Sequence, residues 1–557
     1  MYAEEINAAY LGVSELQLME NAGAAVAREV LFKFNPENCR VVVYAGTGGN
    51  GGDGFVAARH LAYHGFKVKV VLVGRVKDVV RESSKVNLKA LLRMGDSVEF
   101  VEAYDSSMFK VEDADVLIDA ILGYGVKGVL KQPILQAVKT FNVSKGFKIA
   151  VDIPTGLDAD TGEVLGEAVK ADLTLTFHKP KKGLLSSPNF VGELKVVNVG
   201  IPPEASIYAG PGDVSLAVKP RPPHSHKGDF GRLLIVGGSE TYTGAPALTA
   251  MAALRAGVDL VFVAAPEKTA YTISGFSPNL ITAKLEGEYL KPEHFEKLKP
   301  LIDKSTGLAI GPGLGLRDET FQAFKLIVDY AWLKKIPTVI DADGLKAYAV
   351  YKPTATYATV LTPHLGEYSL IFGQPPKEFE KLKLHVKENA ARVNLTILLK
   401  GMVDIVSDGS RVKLNFTGNP GMTVGGTGDV LTGIVAAFLS QNVEPFRAAT
   451  AAAFINGLAG DIVASKIGYH MVASDLLDVI PEAVELCVKG DVGRLEELYH
   501  LITLAAFING LAGDIVASKI GYHMVASDLL DVIPEAVELC VKGDVGRLEE
   551  LYHLKTR

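Results

Sequence analysis

The chain has 557 residues, with 57 Lys+Arg against 64 Asp+Glu for a formal charge of -7, and it is 48% hydrophobic. That is the composition of a globular chain with more than one core, and it lacks the basic excess by which a nucleic-acid binder displaces phosphate counterions. Cys39, Cys487 and Cys540 are too few and too scattered for a disulfide framework or a thiolate metal site, the opening MYAEEINAAY has no signal-peptide pattern, and no apolar run reaches the roughly 20 residues of a membrane span. The expectation is a cytoplasmic protein with no membrane and no nucleic-acid partner, assembled as a homo-oligomer.

Short apolar, β-branched runs alternate with helical patterns, which predicts βαβ units on parallel sheets. In the first half the predicted strands are 41–45, 67–73, 115–122 and 149–153, with helices at 54–64 and 84–94. The stretch Lys219-Pro220-Arg221-Pro222-Pro223 then breaks any regular element and reads as a linker. Beyond it the alternation restarts with strands at 232–236, 260–264, 308–310, 338–340, 359–361 and 396–399, and a helix at 245–257. A hairpin at 403–406 and 412–415 turns at Asp408-Gly409, and a further helix covers 430–439. Residues 452–501 recur letter for letter as 505–554, the mark of a duplication and not of a drifting solenoid repeat. The expected organisation is a domain over 1–215, a second over 220–503, and at 505–554 an identical copy of 452–501; one native surface accepts only one of the two copies.

The first chemical constellation follows strand 41–45: Gly46-Thr47-Gly48-Gly49-Asn50-Gly51-Gly52-Asp53-Gly54. Glycines let backbone N–H groups converge, and the helix that follows adds partial positive charge, so the loop suits a phosphate; a tight glycine turn is the plainer alternative. Two other strands end in Asp119-Ala120-Ile121-Leu122-Gly123-Tyr124-Gly125 and Asp152-Ile153-Pro154-Thr155. A carboxylate at such a strand end needs a cation, hydrogen bonds or a catalytic task, although each Asp alone also suits a helix cap or turn. Asn50, Asp119 and Thr155 offer hard oxygen ligands, which suit an alkali or alkaline-earth ion and not zinc.

With Met19-Glu20-Asn21-Ala22-Gly23, these motifs resemble the NAD(P)H-hydrate epimerase family over about residues 1–210. The resemblance implies a Rossmann-like three-layer domain that interconverts the R and S hydrates of NADH and NADPH. It places Gly49, Asn50, Gly51, Gly52, Asp53, Gly123, Tyr124, Gly125, Val126, Lys127, Gly128, Val129 and Asp152 against the substrate. Asp152 becomes the acid/base, and Asn50, Asp119 and Thr155 the K+ ligands. The chain departs from the family in carrying Gly49 for an Asn and Thr155 for a Ser.

The second half carries Gly311-Pro312-Gly313, Asp341-Ala342-Asp343, Thr362-Pro363-His364-Leu365-Gly366-Glu367 and Asn419-Pro420-Gly421 through Gly425-Gly426-Thr427-Gly428-Asp429. The last runs into an apolar helix. Its N–H groups can form an anion hole, with Asp429 placed to take a proton from an attacking hydroxyl or, more plainly, to sit favourably on the helix dipole. Lys400-Gly401 at a strand end reads equally as a phosphate contact or as a strand stop. Together these segments resemble the ADP- or ATP-dependent NAD(P)H-hydrate dehydratases over about 220–485, a ribokinase-like α/β fold.

The resemblance implies that Ala245, Gly313, His364 and Asp429 bind the hydrate, with Asp429 as base. Lys400, Gly401, Met402, Val403, Asp404 and Gly428 would bind ADP or ATP, with Mg2+ as the expected ion. The resulting reading is a bifunctional enzyme, isomerase and lyase, acting on the small molecules NADHX and NADPHX. The alternative is a ribokinase-like kinase of a stable alcohol, such as a vitamin precursor, fused to a noncatalytic nucleotide-binding module.

Overall fold

In the computed structural model seven strands of the first unit form one parallel sheet: β1 (Arg40–Ala45), β2 (Lys67–Val73), β3 (Val98–Ala103), β4 (Asp113–Ala120), β5 (Lys145–Val151), β6 (Leu173–Phe177) and β7 (Glu193–Val197). The structure describes residues 1–490 except 127, 353 and 354, together with 493–495 and 498. Lys127, Cys540 and the second repeat copy at 505–554 lie outside the described residues. Spatial order is β3-β2-β1-β4-β5-β6-β7, so the connections leave β1 and β4 in opposite directions and open a crevice at their carboxyl ends. β1 reads RVVVYA and is buried from Val41 onward, the unbroken apolar run expected of a strand covered on both faces.

Helix Gly49–Tyr63 follows β1 after three residues, five positions earlier than the predicted start at 54. Glycines read as loop because of their poor helix propensity, but here they let backbone approach backbone: a Cβ on Gly46 would lie 1.9 Å from the Ile121 carbonyl oxygen, and one on Gly51 would lie 1.8 Å from that of Gly46. The Met19 to Gly23 motif lies in helix Glu15–Lys33, which packs on Gly49–Tyr63, with the Gly23 α-carbon against Val56. Strands β3, β6 and β7, and the edge strand Ile281–Leu285 of the second unit, escaped the sequence reading. VEFVEA and ELKVV are half-exposed edge sequences, and LTLTF alternates Thr with apolar residues although it is buried throughout.

The second unit holds β8 (Arg232–Val236), β9 (Leu260–Pro266), β10 (Ile281–Leu285), β11 (Gly307–Ile310), β12 (Thr338–Ile340), β13 (Thr359–Leu361), β14 (Thr396–Leu399), β15 (Asp404–Ser407) and β16 (Val412–Asn415). Their order is β10-β9-β8-β11-β12-β13-β14-β15-β16, parallel as far as β14 and antiparallel through the Asp408-Gly409 hairpin. The switch point falls between β8 and β11. Both units are therefore parallel-dominated α/β folds.

The chain divides into Met1–Pro203 and Glu204–Arg557. The division precedes the proline-rich stretch, because helix Pro211–Ala217 packs within the second unit on helices Pro445–Ile467 and Ala473–Lys489. Pro445–Ile467 is long and apolar enough by length and composition to cross a membrane, which the sequence reading did not register, and it is buried along most of its length. It and Ala473–Lys489 carry the first repeat copy, whose Phe454, Ile455, Leu476 and Ile480 are fully buried in the core.

Candidate active sites

In the first unit, Asp119 is the penultimate residue of β4 and is fully buried. Its Oδ2 accepts from the Thr155 N–H at 2.8 Å, and its Oδ1 accepts from the Thr155 hydroxyl at 2.7 Å and the Ile121 N–H at 3.2 Å. Burial raises its carboxyl to about 6 against these hydrogen bonds. The Thr155 Oγ1 accepts from the Leu122 N–H at 3.0 Å, and the next residue, Gly123, has its missing Cβ 3.6 Å from the Asn50 amide oxygen. Asp119 and Thr155 are thus bonded to each other, and Asn50 lies beside Gly123, the residue after Leu122. The Asn50 amide nitrogen is buried and has no hydrogen-bond partner among the described residues. A half-turn of that amide would present its oxygen instead, so three hard oxygen donors with one orphaned amide fit a monovalent cation.

Beside this cluster lies a group of acids. Asp152, directly after β5, holds φ at 65°, a conformation rare for a non-glycine residue and costly to maintain. It is almost fully buried. Its Oδ1 accepts from the Phe177 N–H at 3.3 Å and pairs with the Lys181 ammonium, which also donates to the Thr176 hydroxyl at 3.0 Å and the Phe177 carbonyl at 3.1 Å. Asp53, in the first turns of helix Gly49–Tyr63, has its carboxyl held well above the usual range by burial and then by the negative charge of Asp152. Burial likewise raises Glu5, whose Oε2 accepts from the Tyr124 hydroxyl at 2.5 Å.

The described residues of 123–129 do not all face the crevice. Val126 packs against the core of the first unit, and Val129 is 70% exposed. The positions a Cβ would take on Gly125 and Gly128 meet nothing within 4 Å. Gly51 and Gly52 are buried, with Gly52 facing Met19 and the Ser84 hydroxyl, while Gly49 faces Arg81.

In the second unit helix Thr427–Ser440 starts three residues before the predicted 430, which makes Asp429 its third residue. Gly426 turns into it with φ at 101°, and a Cβ there would lie 2.7 Å from Leu248. Lys400, at the end of β14, donates to Asp341 Oδ1 at 2.9 Å, while the Thr432 hydroxyl donates to Asp341 Oδ2 at 2.6 Å. The Lys400 ammonium also lies 3.4 Å from where a Gly428 Cβ would be. Burial first, and the charge of Asp341 next, raise the Asp429 carboxyl to about 7, with Lys400 opposing them. Glu367 is raised by burial against the charge of Lys400.

Gly313 is buried between Tyr242 and Ala245, its missing Cβ 3.6 Å from that of Ala245, so these two predicted residues meet. His364 caps helix Leu365–Phe372: its Nδ1 accepts from the N–H groups of Gly366 at 3.0 Å and Glu367 at 3.3 Å, and its ring stays exposed. In the 400–404 segment the Gly401 N–H and the Asn415 amide both donate to Asp404 at 3.0 Å, Val403 packs on the core, and Met402 is 97% exposed. Asp461 holds the approach to the glycine run, accepting from the Gly418 N–H and the Asn419 amide, each at 2.9 Å.

Sequence reasoning did not single out Glu5, Arg81, Lys181, Asp341, Glu367, Thr432 or Asp461. Only Asp341 and Glu367 carried a signal, as polar residues in motifs closing predicted strands.

The family model for "YjeF-related protein N-terminus" matches residues 15–183, and that for "NAD(P)H-hydrate dehydratase" matches 233–482. The "bifunctional NAD(P)H-hydrate repair enzyme Nnr" of Pyrobaculum aerophilum is 47% identical over 491 residues, which cover 87% of this chain and 97% of the relative. This chain belongs to the bifunctional NAD(P)H-hydrate repair enzyme family. Members from Hyperthermus butylicus, 47% identical with 86% of this chain and 90% of the relative covered, and Methanothermobacter thermautotrophicus, 44% identical with 87% and 94% covered, bear the same name. As in those repair enzymes, one chain carries both halves.

Proposed function

We infer that the two units divide one repair between them: the first interconverts the R and S hydrates of NADH and NADPH, and the second dehydrates the S hydrate at the expense of ADP or ATP. The observation that carries this reading is the pairing, in one chain, of two glycine-built helix starts, one directly after β1 and one beside Asp341 and Lys400 at the ends of β12 and β14, each with an acid whose proton affinity is raised, Asp53 in one and Asp429 in the other.

In the first unit Asp53 gives its proton to the ring hydroxyl. The carbon–oxygen bond breaks as the neighbouring ring nitrogen supplies its electron pair, and water leaves. Water then adds to the opposite face while Asp152, oriented by Lys181, takes its proton, and exchange with solvent resets the two acids. Asn50, Asp119 and Thr155 would hold K+, which supplies charge to the buried Asp119 and rigidity to the strand ends. Epimerisation is expected to rise several-fold when K+ replaces a bulky organic cation, measured by separating the epimers over time; identical rates would remove the ion from the site.

In the second unit Asp429 accepts the hydroxyl proton as that oxygen attacks the terminal phosphorus of the nucleotide. N–H groups of the Gly425 to Gly428 turn and the ammonium of Lys400 face the transferred group. The ring nitrogen then expels phosphate, and loss of the adjacent ring proton restores the dihydronicotinamide. Glu367 and Asp341, the carboxylates beside Lys400, are the residues that would hold Mg2+, which would supply positive charge to the nucleotide phosphates. Ala245, Gly313 and His364 would border the hydrate, and the 400–404 segment the nucleotide. ADP is the preferred donor. The cytoplasm is the proposed compartment, and a homo-oligomer the proposed assembly.

Incubation of hydrated NADH with ADP and Mg2+ tests the reading: the reduced-nicotinamide absorbance returns with one phosphate released per coenzyme. A stable phosphorylated product would instead identify a small-molecule kinase.

A further inference from the structure

Gly49 opens a space that another residue of the chain fills. A Cβ on Gly49 would lie 2.5 Å from an Arg81 guanidinium nitrogen, so any side chain there must displace Arg81. Arg81 precedes helix Glu82–Leu92 and reaches over the first turn of helix Gly49–Tyr63, its Nε paired with Glu15. Glu15 is also held by the Ser83 hydroxyl at 2.7 Å. The guanidinium is not buried, since its side chain remains 45% exposed. Its charge is felt at Asp53, Glu5 and Tyr124, so it stands over the crevice itself and not on a remote surface. Lys181 is already committed to Asp152, Thr176 and Phe177. A dinucleotide entering among Glu5, Glu15, Asp53 and Asp152 brings two more negative charges, which need a cation that can still offer donors. A guanidinium with one edge on a carboxylate keeps its other N–H groups free for phosphate oxygens.

We propose that Arg81 binds the pyrophosphate of the hydrate in the first unit, with Glu15 holding the guanidinium over Gly49 until the substrate arrives. This deepens the epimerase reading and rests on it. Gly49 is then a specificity feature: the missing side chain makes room for the cation.

The test uses the full chain without nucleotide, so that only epimerisation proceeds. Arg81→Ala is expected to raise KM by about 10- to 100-fold with kcat within about threefold, because a lost charge-assisted contact weakens binding of ground and transition states alike. Arg81→Lys should recover part of the loss, and Gly49→Ala should raise KM by less than Arg81→Ala, since the half-exposed guanidinium can shift aside from the added methyl. The effect should be equal for NADHX and NADPHX, which share the pyrophosphate; a loss confined to NADPHX would move Arg81 to the extra phosphate and overturn the assignment. Independently, ADP-ribose should slow modification of Arg81 by phenylglyoxal, mapped by mass spectrometry. Unchanged labelling, or a KM within twofold of the parent in Arg81→Ala, overturns the proposal. Protection of Arg81 in a parent chain that fails to equilibrate the epimers would leave the anion site standing and remove the epimerase reading.

Discussion

Asp429→Asn is expected to lower dehydration of the S hydrate about a thousandfold while nucleotide affinity changes little, because a general base within reach of the attacking hydroxyl contributes about 100- to 10,000-fold. Asn keeps the shape and the helix position but cannot take the proton. The same carboxylate sets the pH dependence. Asp429 is raised to about 7 from an ordinary 3.8, and a base works only when ionised, so kcat/KM for dehydration should fall about tenfold per pH unit below 7 and level off above it. Lys400→Met should move that limb to higher pH, since Lys400 is the charge that opposes the rise. Stability responds in the opposite sense. A carboxyl whose folded value lies above its unfolded one contributes stability at low pH that is lost as pH climbs from about 4 to about 7. Asp429→Asn should therefore melt no lower than the parent at pH 8. A variant that dehydrates at the parent rate would exclude Asp429 as the base.

Asp152→Asn is expected to slow epimer interconversion by a factor of about 100 to 10,000 and to leave dehydration of pure S hydrate unchanged. The left-handed backbone at Asp152 aims the carboxylate at the Lys181 ammonium and the Phe177 N–H, and Asn accepts that N–H bond equally well. Because Asn leaves the buried Lys181 ammonium without its counter-charge, some loss of melting temperature is expected, and unchanged dehydration by the same variant would separate chemistry from structure. Equilibration of the epimers at the parent rate would show that Asp152 takes no part in proton transfer.

Legibility in the sequence depends on how local each feature is. The strands β1, β2, β8 and β11 to β14 declare themselves as short apolar runs closed by a glycine or a polar residue, because a strand buried on both faces carries mostly apolar side chains. The edge strands β3 and β7 do not, since half their side chains meet solvent. The helix starts at Gly49 and Thr427 were misplaced for one reason: glycines that tertiary packing requires look like loop to a propensity argument. Asp119, Asp152 and Asp429 were legible because each closes a strand or opens a helix within a glycine motif. Their partners were not. Thr432 lies 91 residues from Asp341, Lys400 lies 59 from it, and Lys181 lies 29 from Asp152, separations at which no periodicity or spacing links a donor to its acceptor. Arg81 was invisible for a further reason, since its place depends on an atom that Gly49 lacks.

The division of labour between the units is tested most directly by complementation. Asp152→Asn and Asp429→Asn are each given pure R hydrate with ADP and Mg2+, first alone and then mixed in equal amounts. Each variant alone should return little reduced nicotinamide, and the mixture should restore it with one phosphate released per coenzyme. Restoration by Asp429→Asn alone, or a mixture no better than either variant, would contradict the assignment of two successive reactions to the two units.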